Sequence, residues 1–303
     1  MSAHHSSYLE LTARERLAQL FDKGSFVEFL PPAARVISPH LAQLDAPVAF
    51  DDGVAVGRAL LGGQAVFCAA QEGGFMGGAV GEVHGAKLTG LLRRAVVEHA
   101  GAVVLLLETG GVRLHEANAG LIAVSEVMRA VLDARAAGIP VVALVGGSNG
   151  CFGGMGIVAR CTNAVVMSEE GRLAMSGPEV IETASGVEEF DSRDRALVWR
   201  TTGGKHRHLL GDCQFIVADD VAGFRQAASD AIAAARNAGV ELSLAALEAE
   251  QTLLGERITR FGDCLDPLDT WRALGIADPA ALPMLDADAF AALAAGHRLG
   301  GVQ

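Results

Sequence analysis

Short apolar runs alternate with longer stretches in which hydrophobic positions recur at helical spacing, and this alternation organises most of the chain. Val103-Val104-Leu105-Leu106-Leu107-Glu108, Pro140-Val141-Val142-Ala143-Leu144-Val145, Ala164 to Met167 and Phe215 to Val217 read as strands. Helical periodicity runs from about His84 to His99, from Ala119 to about Ala137 with Asn118 as its cap, and from Val221 to Asn237 behind Asp219-Asp220. This order predicts an α/β core with a mostly parallel sheet, whose ligands bind beyond the carboxyl ends of the strands. Ahead of the core, an amphipathic helix begins after Thr12 and stops by Gly24, Pro31, Pro32, Pro39 and Pro47 mark an irregular connection, and Val54 to Leu60 pairs with Gln64 to Ala69 around Gly62-Gly63. The core is expected to close near Val217. That divides the chain into a domain over 1–218 and a helical extension over 219–303, broken by Pro267, Pro279 and Pro283 and suited to packing or a subunit contact.

Three glycine clusters punctuate the pattern. Val145 to Gly156 reads V-G-G-S-N-G-C-F-G-G-M-G directly after a strand, Thr109-Gly110-Gly111-Val112-Arg113 follows another, and Gln71 to Gly81 follows the hairpin. Glycine is needed where backbone takes positive φ or lies against a ligand, so the clusters predict N–H groups aimed at an oxygen. Donors arriving from two separate strand ends are what an oxyanion site requires. Each cluster alone also reads as a tight βα turn. Gly154-Met155-Gly156-Ile157-Val158-Ala159 matches the dinucleotide pattern G-x-G-x-x-A, with Glu169 or Glu170 after the next strand, but it starts well beyond the strand end and its helix is short.

A formal charge of −12 over 303 residues argues against a nucleic-acid or anionic-membrane surface, and no apolar run reaches the roughly 20 residues that span a bilayer. Met1 to Leu11, with His4 and His5, lacks a basic region followed by an apolar stretch, so no secretory signal is read and a cytoplasmic location is expected. Five cysteines are scattered without a Cys-x-x-Cys pair. Only Cys151, inside a glycine cluster, has a position suggestive of a nucleophile. Two basic groups, Arg93-Arg94 and Arg200 with Lys205, His206, Arg207 and His208, suit the phosphates of coenzyme A or the acidic face of a carrier protein, or else a solvated surface.

Taken in order, the segments resemble the carboxyltransferase branch of the crotonase-like superfamily, and within it the beta subunits of biotin-independent malonate decarboxylases. Thr12-Ala13-Arg14-Glu15-Arg16-Leu17 through Gly24-Ser25-Phe26-Val27-Glu28-Phe29 looks like the family's opening helix. Phe75-Met76-Gly77-Gly78-Ala79-Val80-Gly81 is similar to its F-M-G-G-S-x-G segment, and Thr109 to Glu116 to S-G-G-A-R-x-x-E. Cys151-Phe152-Gly153-Gly154 is similar to its C-A-G-G or T-T-G-G loop, and Ser176 to Glu182 to G-P-x-V-I-E. The four-cysteine zinc ribbon of acetyl-CoA carboxylase beta subunits is lacking, whereas Thr109, His115 and the stretch from Glu182 to Phe190 look more like the decarboxylase subunit.

The resemblance implies a crotonase-like superhelical ββα core and one of the two halves such enzymes need, a homologous gamma subunit completing the site. It implies decarboxylation of a malonyl thioester on an acyl carrier protein through an enolate, the oxyanion held by backbone near Gly110, Gly111 and Val112 and near Gly153 and Gly154. The candidate proton donors are His115, His84, His206 and Cys151, or water, among which the sequence does not choose, and Arg113 with Glu116 forms a structural pair. Substrate is expected against Phe75, Met76, Gly77, Gly78, Cys151 and Phe152. No metal or redox cofactor is implied; a phosphopantetheine-type group comes on the carrier protein, and an acyl transferase subunit belongs to the same complex. The alternative is the beta subunit of a biotin-dependent acyl-CoA carboxylase or decarboxylase.

Overall fold

The computed structural model describes residues 6–238 and 243–300; His4 and His5, part of the N-terminal stretch read for a signal, lie outside them. Among the described residues, one sheet carries its strands in chain order: β1 (Val27–Glu28), β2 (Val54–Leu61), β3 (Gln64–Gln71), β4 (Val103–Leu107), β5 (Val141–Val145), β6 (Ala164–Ser168) and β7 (Phe215–Val217). The pairings β1–β2 and β2–β3 are antiparallel and the rest parallel. The hairpin turn between β2 and β3 has Gly62 at φ 58° and Gly63 at φ 78°, the primed-turn geometry that the glycine pair predicts. Asp22 fixes it by accepting from both N–H groups, at 3.0 and 2.8 Å.

The helices are α1 (Ala13–Leu20), α2 (Glu82–Val97), α3 (Asn118–Ala136), α4 (Gly154–Cys161), α5 (Pro178–Ser185), α6 (Arg195–Thr202), α7 (Gly204–Leu209), α8 (Val221–Ala238), α9 (Leu244–Phe261), α10 (Pro267–Ala273) and α11 (Ala287–Ala294). Every residue of β4, β5 and β6 is buried, as a parallel sheet covered on both faces demands. Val103, Leu105 and Leu107 pack with Leu88 and Leu92 of α2, Val127 of α3 and Val158 of α4, while Val104 and Leu106 pack with Leu17 of α1 and Phe224 of α8. Alternation along β4 thus builds two cores at once.

Three expectations change. Asn118 does not cap α3; Ala117, at φ 48°, occupies the cap position and makes no side-chain hydrogen bond. The helix α8, assigned to the extension, covers the sheet instead, with Val221, Phe224, Ala228 and Ile232 in the core and Asp220 Oδ1 accepting from Gly223 N–H at 2.6 Å. Its apolar side matches the sheet face that α1 leaves open. The extension follows, and its own small core joins Trp271, Leu274, Ile276, Leu282 and Phe290 to Leu209 of α7. Pro267 begins a helix rather than breaking one, standing at a first-turn position where no N–H partner is needed.

Candidate active site

The glycine clusters meet beyond the carboxyl ends of β3, β4 and β5. Single parallel bridges, Val80–Val112, Thr109–Cys151 and Cys151–Leu173, stitch the loops to one another. Met76, Gly77 and Gly78 take φ of 51°, 63° and 69° in succession, which turns the Gly77 carbonyl to accept from Gly110 N–H at 2.8 Å. A Cβ on Gly78 would fall 2.0 Å from the Glu108 carbonyl oxygen, so side-chain-free backbone is needed there.

Following each amide to its acceptor separates packing from potential chemistry. Gly110 N–H is used by Gly77, Gly111 N–H is taken by its neighbour Thr109 Oγ1 at 3.0 Å, and Gly153 N–H donates to Met175 O at 2.9 Å. These expected donors are committed inside the protein. Among the described residues the N–H groups of Val112 and Gly154 have no acceptor, and both residues are only partly buried. Gly154 opens α4, so its free N–H lies at the positive end of a helix. Gly153, at φ 65°, brings the two loops into contact: its Cβ position is 4.0 Å from Val112 N.

Behind the loops lies a buried acid that the sequence reading passed over. Glu108, the last polar residue of an otherwise apolar strand segment, is ion-paired with buried Arg16 of α1. Its Oε1 accepts from Ser148 Oγ (3.1 Å), Asn149 N–H (3.1 Å) and Asn149 Nδ2 (3.2 Å). Cβ atoms on Gly73 or Gly147 would each come within 2.3 Å of this carboxylate. Arg16 is saturated by Tyr8 O at 2.9 Å and Leu9 O at 3.2 Å and lies 4.6 Å over the Tyr8 ring.

A second buried network underlies Val112. Arg113 donates to Asp52 Oδ2 at 2.6 Å and to the Asp52 carbonyl at 2.8 Å, with Glu116 at 3.9 Å. The pairing with Glu116 was legible in the sequence; the nearer partner Asp52, far away along the chain, was not. Burial raises the Asp52 carboxyl above its ordinary pKa against the opposing pull of Arg113. Phe75 packs with its ring 5.3 Å from the Arg113 guanidinium.

The candidate proton donors separate by exposure. His115 is exposed on the short 3₁₀ turn Leu114–Glu116 beside Val112. His84 is fully buried, accepting at Nε2 from Gln71 Nε2 (3.1 Å) and facing the Asp52 carbonyl with Nδ1 (3.1 Å), and burial lowers its pKa to about 3. His206 accepts from Trp271 Nε1 at 3.1 Å and is likewise lowered to about 3 by burial. Cys151 sits wholly within the core, where burial pushes its thiol pKa up. The latter three are structural, not proton donors at a surface.

Cys151 and Phe152, expected against substrate, also turn inward. Their side chains are buried, and their N–H groups donate to Arg172 O and Thr109 O at 2.8 and 2.9 Å, because this strand-like segment faces inward between neighbouring loops. Phe75, Met76 and Gly77 remain partly or fully exposed at the mouth, while Gly78 is buried. The second basic group turns inward as well: Arg200 pairs with Asp266 at 2.8 Å, Lys205 with Glu169 at 3.3 Å, and His206 and His208 are buried. Of the dinucleotide-like glycines, Gly156 is a packing position, its Cβ site lying 2.5 Å from Ala174 O.

A carboxyl transferase domain model matches residues 6–230. The chain belongs to the carboxyl transferase family. It is 46% identical over 234 residues to the malonyl-S-ACP:biotin-protein carboxyltransferase of Malonomonas rubra, with 73% of each protein covered. A chain of the Pseudomonas malonate decarboxylase hetero-tetramer, solved in complex with malonate, superposes with a TM-score of 0.79 at 40% identity, covering 89% of this chain and 98% of that one. Transcarboxylase 12S matches at 26% identity and a TM-score of 0.62, this chain spanning 41% of its length. The resemblance read from the ordered motifs and the crotonase-like α/β fold both hold. Among the described residues no helix is long and apolar enough to cross a membrane.

Proposed function

We propose that this chain is the beta-type subunit of a malonate decarboxylase, converting a malonyl thioester carried by an acyl carrier protein into the acetyl thioester and CO2. The carrying observation is the pair of amides, Val112 and Gly154, left without an acceptor among the described residues, on abutting loops of a chain that parallels nearly the whole length of a malonate decarboxylase chain. Heterolysis of the bond between C2 and the carboxylate releases CO2 and leaves its electron pair on C2, delocalised onto the thioester oxygen. Two preorganised N–H donors at that oxygen lower the barrier by roughly 3 to 4 kcal/mol each. A proton from His115, the exposed imidazole beside Val112, or from water then completes the acetyl group. A homologous gamma subunit closes the cleft, and an acyl transferase subunit loads the carrier, in a cytoplasmic complex.

A second reading has its own support in the Malonomonas rubra relative, which hands the carboxyl group to a biotin protein. The enolate is the same; only the carboxyl acceptor differs. Purified complex given malonyl thioester is expected to form acetyl thioester and free CO2 at the same rate with and without avidin. Full inhibition by avidin establishes the biotin-dependent reading, and absence of both products removes the proposal.

A further inference from the structure

Glu108 occupies a peculiar place relative to the two loops. It is the residue at which β4 gives way to the Thr109–Val112 loop, while its carboxylate receives its three loop hydrogen bonds from Ser148 and Asn149, at the root of the loop that ends in Gly154. Thr109 N–H donates to Gly150 O at 2.8 Å and Phe152 N–H returns to Thr109 O at 2.9 Å, so displacement of either loop is transmitted to the other. The close approach at Gly73 and Gly147 leaves the carboxylate no room to swing. Its backbone N–H donates to Gln71 Oε1 at 3.0 Å, and through Gln71 and His84 it reaches the Asp52–Arg113 network under Val112.

We infer that Glu108, held by Arg16, is a positioning residue that fixes the spacing of the Val112 and Gly154 amides and so their fit to the enolate oxygen. The inference rests on the decarboxylase reading and deepens it. Glu108 does not touch substrate; it acts through the two loops. A carboxylate suits the post because every neighbour is a donor: Ser148 and Asn149 on Oε1, Arg16 on Oε2. A glutamine amide in either orientation sets an NH2 against one of them.

The test uses the assembled complex with Glu108→Gln and Asn149→Ala. Asn149→Ala leaves the buried Arg16–Glu108 pair intact and removes a single side-chain donor, so it folds even if Glu108→Gln does not. Expected is a roughly tenfold fall in kcat for Asn149→Ala, the scale of one hydrogen bond to a charged group, with KM unchanged. Affinity for a nitronate mimic of the enolate is expected to fall by the same factor while affinity for the acetyl thioester is kept, a split that general loosening does not produce. An Asn149→Ala complex with wild-type kcat, or with a raised KM at wild-type kcat, overturns the inference. A wild-type complex that releases no CO2 contradicts the decarboxylase reading itself, which is a different result.

Discussion

Gly153 rests directly on Gly111: a methyl group on Gly153 would stand 3.0 Å from Gly111 Cα. At φ 65° and ψ −146°, Gly153 adopts backbone that is essentially closed to other residues. Contact and conformation together place Gly154 N–H, at the start of α4, beside the loop that carries Val112 N–H.

Arg113 is the electrostatic keystone of the floor beneath that site, with its side chain and those of Asp52 and Glu116 fully buried. Arg113→Met leaves two buried carboxylates without their cation and is expected to cost about 3 to 5 kcal/mol. Thermal unfolding followed by circular dichroism then shifts down by on the order of 10 °C. The exposed pair Arg94–Glu98 is the control: Arg94→Met is expected to cost no more than about 0.5 kcal/mol.

Acid lability follows from three buried imidazoles, His84, His206 and His208, the last lowered by burial to about 4. His84 and His206 have folded-state pKa values near 3, against 6.5 for the ordinary residue. Between those limits the unfolded chain binds more protons, so stability is fully present above the ordinary value and falls by about 1.4 kcal/mol per pH unit for each histidine as the pH drops. Melting temperature is expected to decline between about pH 7 and about pH 5, and His206→Asn to flatten that slope. An equal slope in the variant assigns the acid lability elsewhere.

Exposure supports the proposed delivery of the proton by His115. His115→Gln is expected to lower kcat by on the order of 100-fold in the assembled complex. Cys151→Ala, altering a thiol in the core, keeps the wild-type rate, and native Cys151 resists iodoacetamide. Steady-state rates and peptide mass analysis check both.

The sheet was legible because β4, β5 and β6 are continuous apolar runs, a pattern that only burial on both faces explains. The glycine clusters marked the loops of the proposed site, but sequence does not show where an N–H points. Gly110, Gly111 and Gly153 read as donors like Val112 and Gly154, and hydrogen bonds to Gly77, Thr109 and Met175 decide otherwise. Gly73, Gly78 and Gly147 proved to be close-approach positions around Glu108. Glu108 itself carried a signal, a lone charge closing an apolar strand, whereas Asp52 carried none, because its partner Arg113 reaches it only through the fold. The packing of α8 on the sheet was hidden for a similar reason: α8 looks like any alanine-rich amphipathic helix until the uncovered sheet face is seen.

The most direct measurement is the single-turnover rate of malonyl-thioester decarboxylation by complex containing Gly153→Val, with assembly confirmed by gel filtration. Valine at this position is incompatible with the backbone and pries the loops apart, so the rate is expected to fall by at least about 100-fold while the subunits remain associated. An assembled Gly153→Val complex that decarboxylates at the wild-type rate contradicts the account.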